Sequence, residues 1–205
     1  MRIREYKYTA RDVDCLYCTE YTRKVCRANG CPWLKERIEA GVIGYREALE
    51  ETFRENSSFT QRAYKLAAGT DSFWRDEAHR DRFYLAQSIF GIYRKRNTPA
   101  YYAALYLLSS YDALFIGTLD CIKRNKIDFK EAHLRTLSLG EYALFKTAKI
   151  LYKDSNEVDF DELADPEVYA SDDFRVAVNA MLISRYGLPV IHIMGDEKRN
   201  GCISY

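Results

Sequence analysis

Apolar positions recur along most of this chain with a helical period, and the interruptions of that period mark out its elements. Beyond Pro32, Leu34 and Ile38 share one face of a short helix over 33–39. Gly41 and Gly44 interrupt it, and the pattern resumes over 45–66 with Leu49 and Phe53 four apart. Small, turn-forming residues over 67–72 predict a linker. The stretch 76–93 is amphipathic, with Phe83, Ala86 and Phe90 on one stripe. Thr98-Pro99 predicts a helix start, because threonine accepts from an orphan N–H and proline suits the first turn. The run 101–116 is apolar on most sides and predicts a buried central helix or helices.

Three more starts follow. Ser138-Leu139-Gly140-Glu141 is a capping box opening a helix over 139–152. Asp159-Phe160-Asp161-Glu162 repeats that chemistry before a short helix. Ser171 is the expected cap of a helix over 172–186, with Gly187 past its end and Pro189 beyond. Only 189–194 reads as extended, and no repeat of the length that builds solenoids emerges. The predicted fold is all-α, a helical bundle.

Composition narrows the class. The 205 residues are 47% hydrophobic and 30% charged, with four prolines and ten glycines, which excludes disorder and suits one domain with a small appendage. No run approaches the roughly 20 apolar residues that span a bilayer, so no membrane partner is expected. Charges in Met1-Arg2-Ile3-Arg4-Glu5-Tyr6-Lys7 stand where a secretory signal would be apolar. A cytoplasmic protein with reduced cysteines is the expectation. The end Cys202-Ile203-Ser204-Tyr205 is a poor prenylation box and reads as a frayed tail.

The balance of 31 basic and 30 acidic residues excludes an obvious polycation, yet it hides a separation. The stretch 154–173 carries nine acidic residues and no basic one, leaving 31 basic against 21 acidic elsewhere, a formal +10. Helix capping is the favoured reading of this stretch, since Asp159, Asp161, Glu162, Asp172 and Asp173 fall near helix starts. Competition with nucleic acid for a basic groove on a partner is the other.

The cysteines divide the chain. Cys15, Cys18, Cys26 and Cys31 are spaced C-x2-C-x7-C-x4-C, whereas Cys121 and Cys202 stand alone with no assigned role. This predicts a Cys-rich metal-binding lobe over 1–35, connecting helices over 36–68 and a helical bundle domain over 69–205. Four thiolates can surround a tetrahedral Zn²⁺, and Asn29-Gly30 offers a permissive turn before the last of them. Zinc leads, an iron–sulfur cluster follows because Cys31-Pro32 resembles a ferredoxin-type closure, and reduced cysteines without metal are the bland alternative. A four-thiolate zinc has no open position, so its role would be structural. Arg23, Lys24 and Arg27 around Cys26, with Tyr17 and Tyr21 near Cys18, can contact nucleic acid or simply offset the thiolate charge.

No catalytic motif appears: neither G-x-S-x-G, nor a P-loop, nor G-x-G-x-x-G, nor H-E-x-x-H. His79, His133 and His192 form no local pair, and His79 is expected on a solvated, ion-paired helix face. An enzyme built around His79 and neighbouring carboxylates is the least favoured reading. Tyr101, Tyr102, Tyr106 and Tyr111 are expected as core aromatics with hydroxyls at the surface. The chain's seventeen tyrosines also suit an interaction surface.

The run Phe73-Trp74-Arg75-Asp76-Glu77-Ala78-His79-Arg80-Asp81-Arg82-Phe83, followed by Tyr101-Tyr102-Ala103-Ala104-Leu105-Tyr106-Leu107-Leu108, resembles a poorly characterised helical protein family of phages, plasmids and conjugative elements of Gram-positive bacteria. Leu137-Ser138-Leu139-Gly140-Glu141 to Arg185-Tyr186-Gly187 continues the likeness, which covers 73–190. The resemblance implies mobile-element cargo rather than a reaction. Such cargo includes anti-CRISPR proteins, some of them zinc-stabilised helical inhibitors. The implied function is non-catalytic: binding an RNA-guided CRISPR nuclease and hindering target DNA loading. The alternatives are a zinc-dependent nucleic-acid-binding regulator and an enzyme of unknown chemistry.

Overall fold

The computed structural model describes residues 7–54, 57–67, 72–92, 97–153 and 159–193. Among them the chain is mostly helical, with a single two-stranded hairpin. The predicted linker at 67–72 and the residues Asp154 and Glu157 fall wholly or largely outside the described residues, as does Cys202.

Helices α1 (Leu34–Glu39), α2 (Tyr45–Thr52) and α3 (Ser57–Ala67) come first. The 45–66 pattern is thus two helices. Phe53 closes α2, and the buried Thr60 hydroxyl of α3 donates to the Phe53 carbonyl at 2.6 Å, so the break is satisfied by the next helix. Helix α4 (Glu77–Ile89) starts on Asp76, whose carboxylate accepts the His79 N–H.

The centre of the molecule is α5 (Pro99–Leu108), capped by Thr98, with every residue from Tyr101 to Leu108 buried. It packs most extensively on α7 (Leu139–Tyr152) and α9 (Ser171–Tyr186). Each large side chain buried there contributes roughly 1.5–3 kcal/mol, which explains why so apolar a helix takes the central place. The 101–116 run breaks at Ser109 and Ser110, whose hydroxyls turn back onto the Tyr106 and Leu107 carbonyls. Such back-bonding competes with helix continuation. Arg82 of α4 then binds the Ser109 and Ser110 carbonyls, and α6 (Asp112–Thr118) begins anew.

The capping box at Ser138 and Glu141 opens α7 as expected, and Asp159 caps the short helix α8 (Phe160–Ala164). Two expectations are corrected. Ser171 is the first residue of α9 rather than its cap: Ala170 occupies that position without a side-chain bond, and Asp172 and Asp173 supply negative charge to the first turn. Of the stretch 189–194, residues 189–193 are not extended and Met194 lies outside the described residues. Gly187 reverses the chain at φ 79°, and Pro189 starts a 3-10 helix, Leu188–His192, that buries Val190 against the bundle.

One core cluster runs from Leu34 to Ile193, joining α1 and α2 to the rest. By contrast, no residue from Lys7 to Trp33 is buried. No helix among the described residues is long and apolar enough to cross a membrane.

Candidate functional site

The segment before α1 is built from local turns. Asp14 accepts the Leu16 N–H at 2.9 Å and starts the 3-10 turn Cys15–Tyr17, and the Cys18 N–H closes onto the Cys15 carbonyl. That places Cys15 and Cys18 at the two ends of one turn. The Tyr21 N–H bonds the Cys18 carbonyl at 3.1 Å and leads into a hairpin of β1 (Tyr21–Thr22) and β2 (Val25–Cys26). Arg23 and Lys24 form its two-residue tip with φ of 53° and 66°. Both lie in the left-handed region that such a turn requires and that costs a non-glycine residue about 1 kcal/mol. The hairpin returns Cys26 beside Tyr21. Gly30, at φ 96°, then turns the chain into Cys31.

These turns bring Cys15, Cys18, Cys26 and Cys31 to the wall of one cavity of about 770 Å³. The five cysteines of the described residues form no disulfide. No group of three or more His, Cys, Asp or Glu side chains among the described residues stands in an arrangement that could hold a metal ion. The four thiols therefore share a cavity without forming a closed ligand set.

The opposite wall comes from the bundle, and the sequence offered no signal for it. Arg37, on α1 and buried, donates from Nη1 toward the Cys31 sulfur at 3.8 Å and lies 3.4 Å from a Glu47 carboxylate oxygen. Glu51, one helical turn beyond Glu47 on α2, accepts the Cys31 N–H at 2.9 Å and pairs with Arg54. Arg54 also reaches Asn29 at 3.4 Å. Burial pushes the Glu47 carboxyl above its usual range, against the pull of Arg37. These charged contacts thus tie the segment to the first two helices, alongside the packing of Cys31 against the core.

The lobe's outer surface is unusual for so small a unit. Leu16 and Tyr17 are 74% and 73% exposed, and Val25 and Trp33 are also open to solvent. Arg23, Lys24 and Arg27 are exposed in the same segment.

The histidines are elsewhere. The expectation of a solvated His79 is overturned: its ring is fully buried between Trp74 and Tyr106. Nε2 lies 2.8 Å from the Tyr106 carbonyl and Nδ1 3.2 Å from the Arg75 amide nitrogen. A carbonyl only accepts and an amide only donates, so the proton sits on Nε2 and the ring is neutral. Burial holds its pKa down at about 3. His133 meets Asp120 at 3.7 Å on the open surface, and His192 is exposed. Cys121 is buried away from the cavity, its thiol pushed up to about 11 by burial.

Tyrosine hydroxyls also depart from expectation. Tyr106 is wholly buried and donates to the Phe73 carbonyl, while Tyr45 donates to Asn179 at 2.5 Å. Tyr101 donates to the Lys123 carbonyl, and the Tyr152 hydroxyl accepts from the Ile127 N–H. Tyr101, Tyr106 and Tyr152 thus satisfy backbone groups of irregular segments inside the protein. In the acidic stretch, Asp159 and Asp165 accept backbone N–H groups and Asp173 accepts from Tyr111, whereas Glu162 pairs with Lys146 across to α7.

Fold and site together define a mostly helical chain in which Cys15, Cys18, Cys26 and Cys31 line the wall of one cavity. No known protein family, curated protein or solved structure matches the chain.

Proposed function

We propose that this chain is a non-catalytic interaction protein whose N-terminal lobe is stapled by a structural Zn²⁺ on Cys15, Cys18, Cys26 and Cys31. The carrying observation is that no described residue before Leu34 is buried and no disulfide joins the cysteines there, yet four of them line one cavity. A segment that small needs a staple, and metal binding supplies folding free energy directly. Four thiolates at about 2.3 Å would complete the coordination and leave no position for a reacting water. The rest of the lobe surface is what a partner would meet, apolar at Leu16, Tyr17 and Val25 and basic at Arg23, Lys24 and Arg27.

The resemblance over 73–190 supplies the partner class: an RNA-guided CRISPR nuclease whose loading of target DNA the protein hinders. Metal analysis of the purified chain is the first test, with one zinc per chain expected and an iron–sulfur chromophore the competing result. Co-purification with candidate nucleases and a cleavage assay follow. A complex with reduced cleavage supports the reading, and unaffected cleavage with no complex removes it.

A second reading is nucleic-acid binding by the lobe. It is favoured by one feature, the placement of Arg23 and Lys24 at an exposed hairpin tip. It requires binding to DNA or RNA that weakens steeply with salt. Undetectable binding at low salt would remove it.

A further inference from the structure

A second exposed basic turn stands on the bundle itself, far along the chain from the cysteines. Beyond α6 the chain reverses tightly through Lys123-Arg124-Asn125-Lys126, and all four residues are exposed. The Ile122–Ile127 bridge closes the stem. The Lys123 N–H bonds the Lys126 carbonyl at 2.9 Å, and the Asp128 N–H bonds the Cys121 carbonyl at 2.8 Å. Three side chains from elsewhere hold the same backbone. Tyr101 of α5 donates to the Lys123 carbonyl at 2.7 Å, and Asn97 donates to the Arg124 carbonyl at 3.1 Å. The Tyr152 hydroxyl of α7 accepts from the Ile127 N–H at 3.1 Å. The turn is thus fixed while its charged side chains stay in water, which lowers the ordering cost of binding a ligand there.

Tyr152 also sets the turn beside the last turn of α7. Along that helix and its cap, Tyr142, Lys146, Lys149 and Lys153 recur at helical spacing as one exposed stripe of roughly 16 Å. Lys146 is engaged by Glu162, and Lys126 meets the half-buried Asp128 carboxylate at 3.8 Å. Residues 122–153 hold eight basic and three acidic side chains, a formal +5 within a chain of net charge +1. The near-neutral total therefore conceals a local positive surface.

We infer that this turn and the end of α7 form a nucleic-acid-binding surface that grips phosphates without reading sequence. Lys123, Arg124 and Lys126 on the turn, with Lys149 and Lys153 on the helix, make a row of fixed cations that suits a regularly spaced polyanion. Arg124 brings a guanidinium, whose planar fork matches phosphate oxygens. Tyr142, exposed at the far end of the stripe, offers a ring on which a base can stack, which an acidic peptide or a lipid surface would not use. The inference is independent of the zinc reading and of binding through Arg23 and Lys24.

The test is fluorescence anisotropy of the full chain with a labelled DNA duplex of about 20 base pairs, titrated at several salt concentrations. Binding is expected at low salt, with log K falling against log salt at a slope of about −4 to −5 as the five cations displace counterions. Changing Lys123→Gln, Arg124→Gln and Lys126→Gln together should weaken binding by about tenfold or more and flatten the slope by about 2 to 3. Lys149→Gln with Lys153→Gln, on a different element, should weaken it in the same sense. Far-UV circular dichroism of both variants should match the parent protein, since every altered side chain is exposed. Parental binding in both variants overturns the inference, as does an absence of binding at low salt. Loss of binding in Arg23→Gln with Lys24→Gln, but not in the turn variant, places the contact on the hairpin and overturns it too. So does binding to phosphatidylserine vesicles with none to the duplex, which would make the surface a membrane contact.

Discussion

The Asp173 carboxylate of α9 lies against Gly140, in the space that a side chain at that position would need. Gly140 is in the first turn of α7, so the carboxylate approaches the positive end of that helix. The Tyr111 hydroxyl donates to its other oxygen at 2.7 Å, and Arg75 stacks over the Tyr111 ring at 3.8 Å. Helices α7 and α9 and the start of α6 are thus joined at one corner by a contact that leaves no room for a side chain at Gly140.

Gly140→Ala is accordingly expected to destabilise the protein by about 1–3 kcal/mol, although alanine is the better helix former by about 1 kcal/mol. Denaturant unfolding of the pair measures this. Equal or greater stability in the variant would show that the carboxylate can move aside at no cost.

His79 makes acid stability specific. Its folded pKa, about 3, lies below the ordinary value of 6.5, so the folded state resists taking up a proton that the unfolded state accepts. Stability is therefore unaffected above that ordinary value and is lost progressively as pH falls toward the folded value, by on the order of 4–5 kcal/mol. In His79→Gln the fall of the unfolding midpoint between neutral pH and pH 4 should be visibly shallower. Parallel curves would refute the assignment.

Asn179 is the hub of a buried polar network. It accepts from Tyr45 at 2.5 Å and donates to the Phe73 carbonyl at 2.9 Å. Asn179→Leu leaves the Tyr45 hydroxyl without its acceptor in the core and is expected to cost about 2–3 kcal/mol. A second substitution, Tyr45→Phe, should recover part of that loss, which a double-mutant cycle reads directly.

On the zinc reading, removing the metal is expected to uncouple the N-terminal segment from the bundle. Chelation, or Cys18→Ser or Cys26→Ser, should expose the chain before Leu34 to protease while leaving the thermal transition of the bundle nearly unchanged. The reason is that the core begins at Leu34 and no earlier described residue is buried. A bundle that melts together with the lobe would contradict this separation.

The hairpin tip offers a stabilising change. Lys24→Gly removes a left-handed strain and is expected to stabilise the lobe by about 1 kcal/mol, read as slower proteolysis of the metal-loaded form. Paired with Arg23→Asn it also removes two charges. The pair should then weaken partner or nucleic-acid binding with zinc content unchanged, and unchanged binding would place the interface elsewhere.

Short-range chemistry is legible in the amino-acid sequence. Thr98-Pro99, the Ser138–Glu141 box and Asp159 each begin helices where their side chains place them, because a cap bonds N–H groups only two or three residues away. Apolar periodicity likewise marks α5 as the central helix. Cys15, Cys18, Cys26 and Cys31 reach one cavity because the turns between them close over a few residues.

Long-range pairing is not legible there. His79 stands in a run of charges and gives no sign of burial; it is buried because Trp74 and Tyr106, far apart in sequence, close over it. Tyr106 and Tyr45 direct their hydroxyls inward because Phe73 and Asn179 present acceptors there. Arg37 and Glu51 meet Cys31 only once α1 and α2 fold against the lobe. The sequence by itself determined the helices, most of their starts and the four-cysteine segment, all set by neighbours along the chain. Only the tertiary structure decided which polar groups are buried and with whom, because a buried donor or acceptor must find its partner wherever packing brings one.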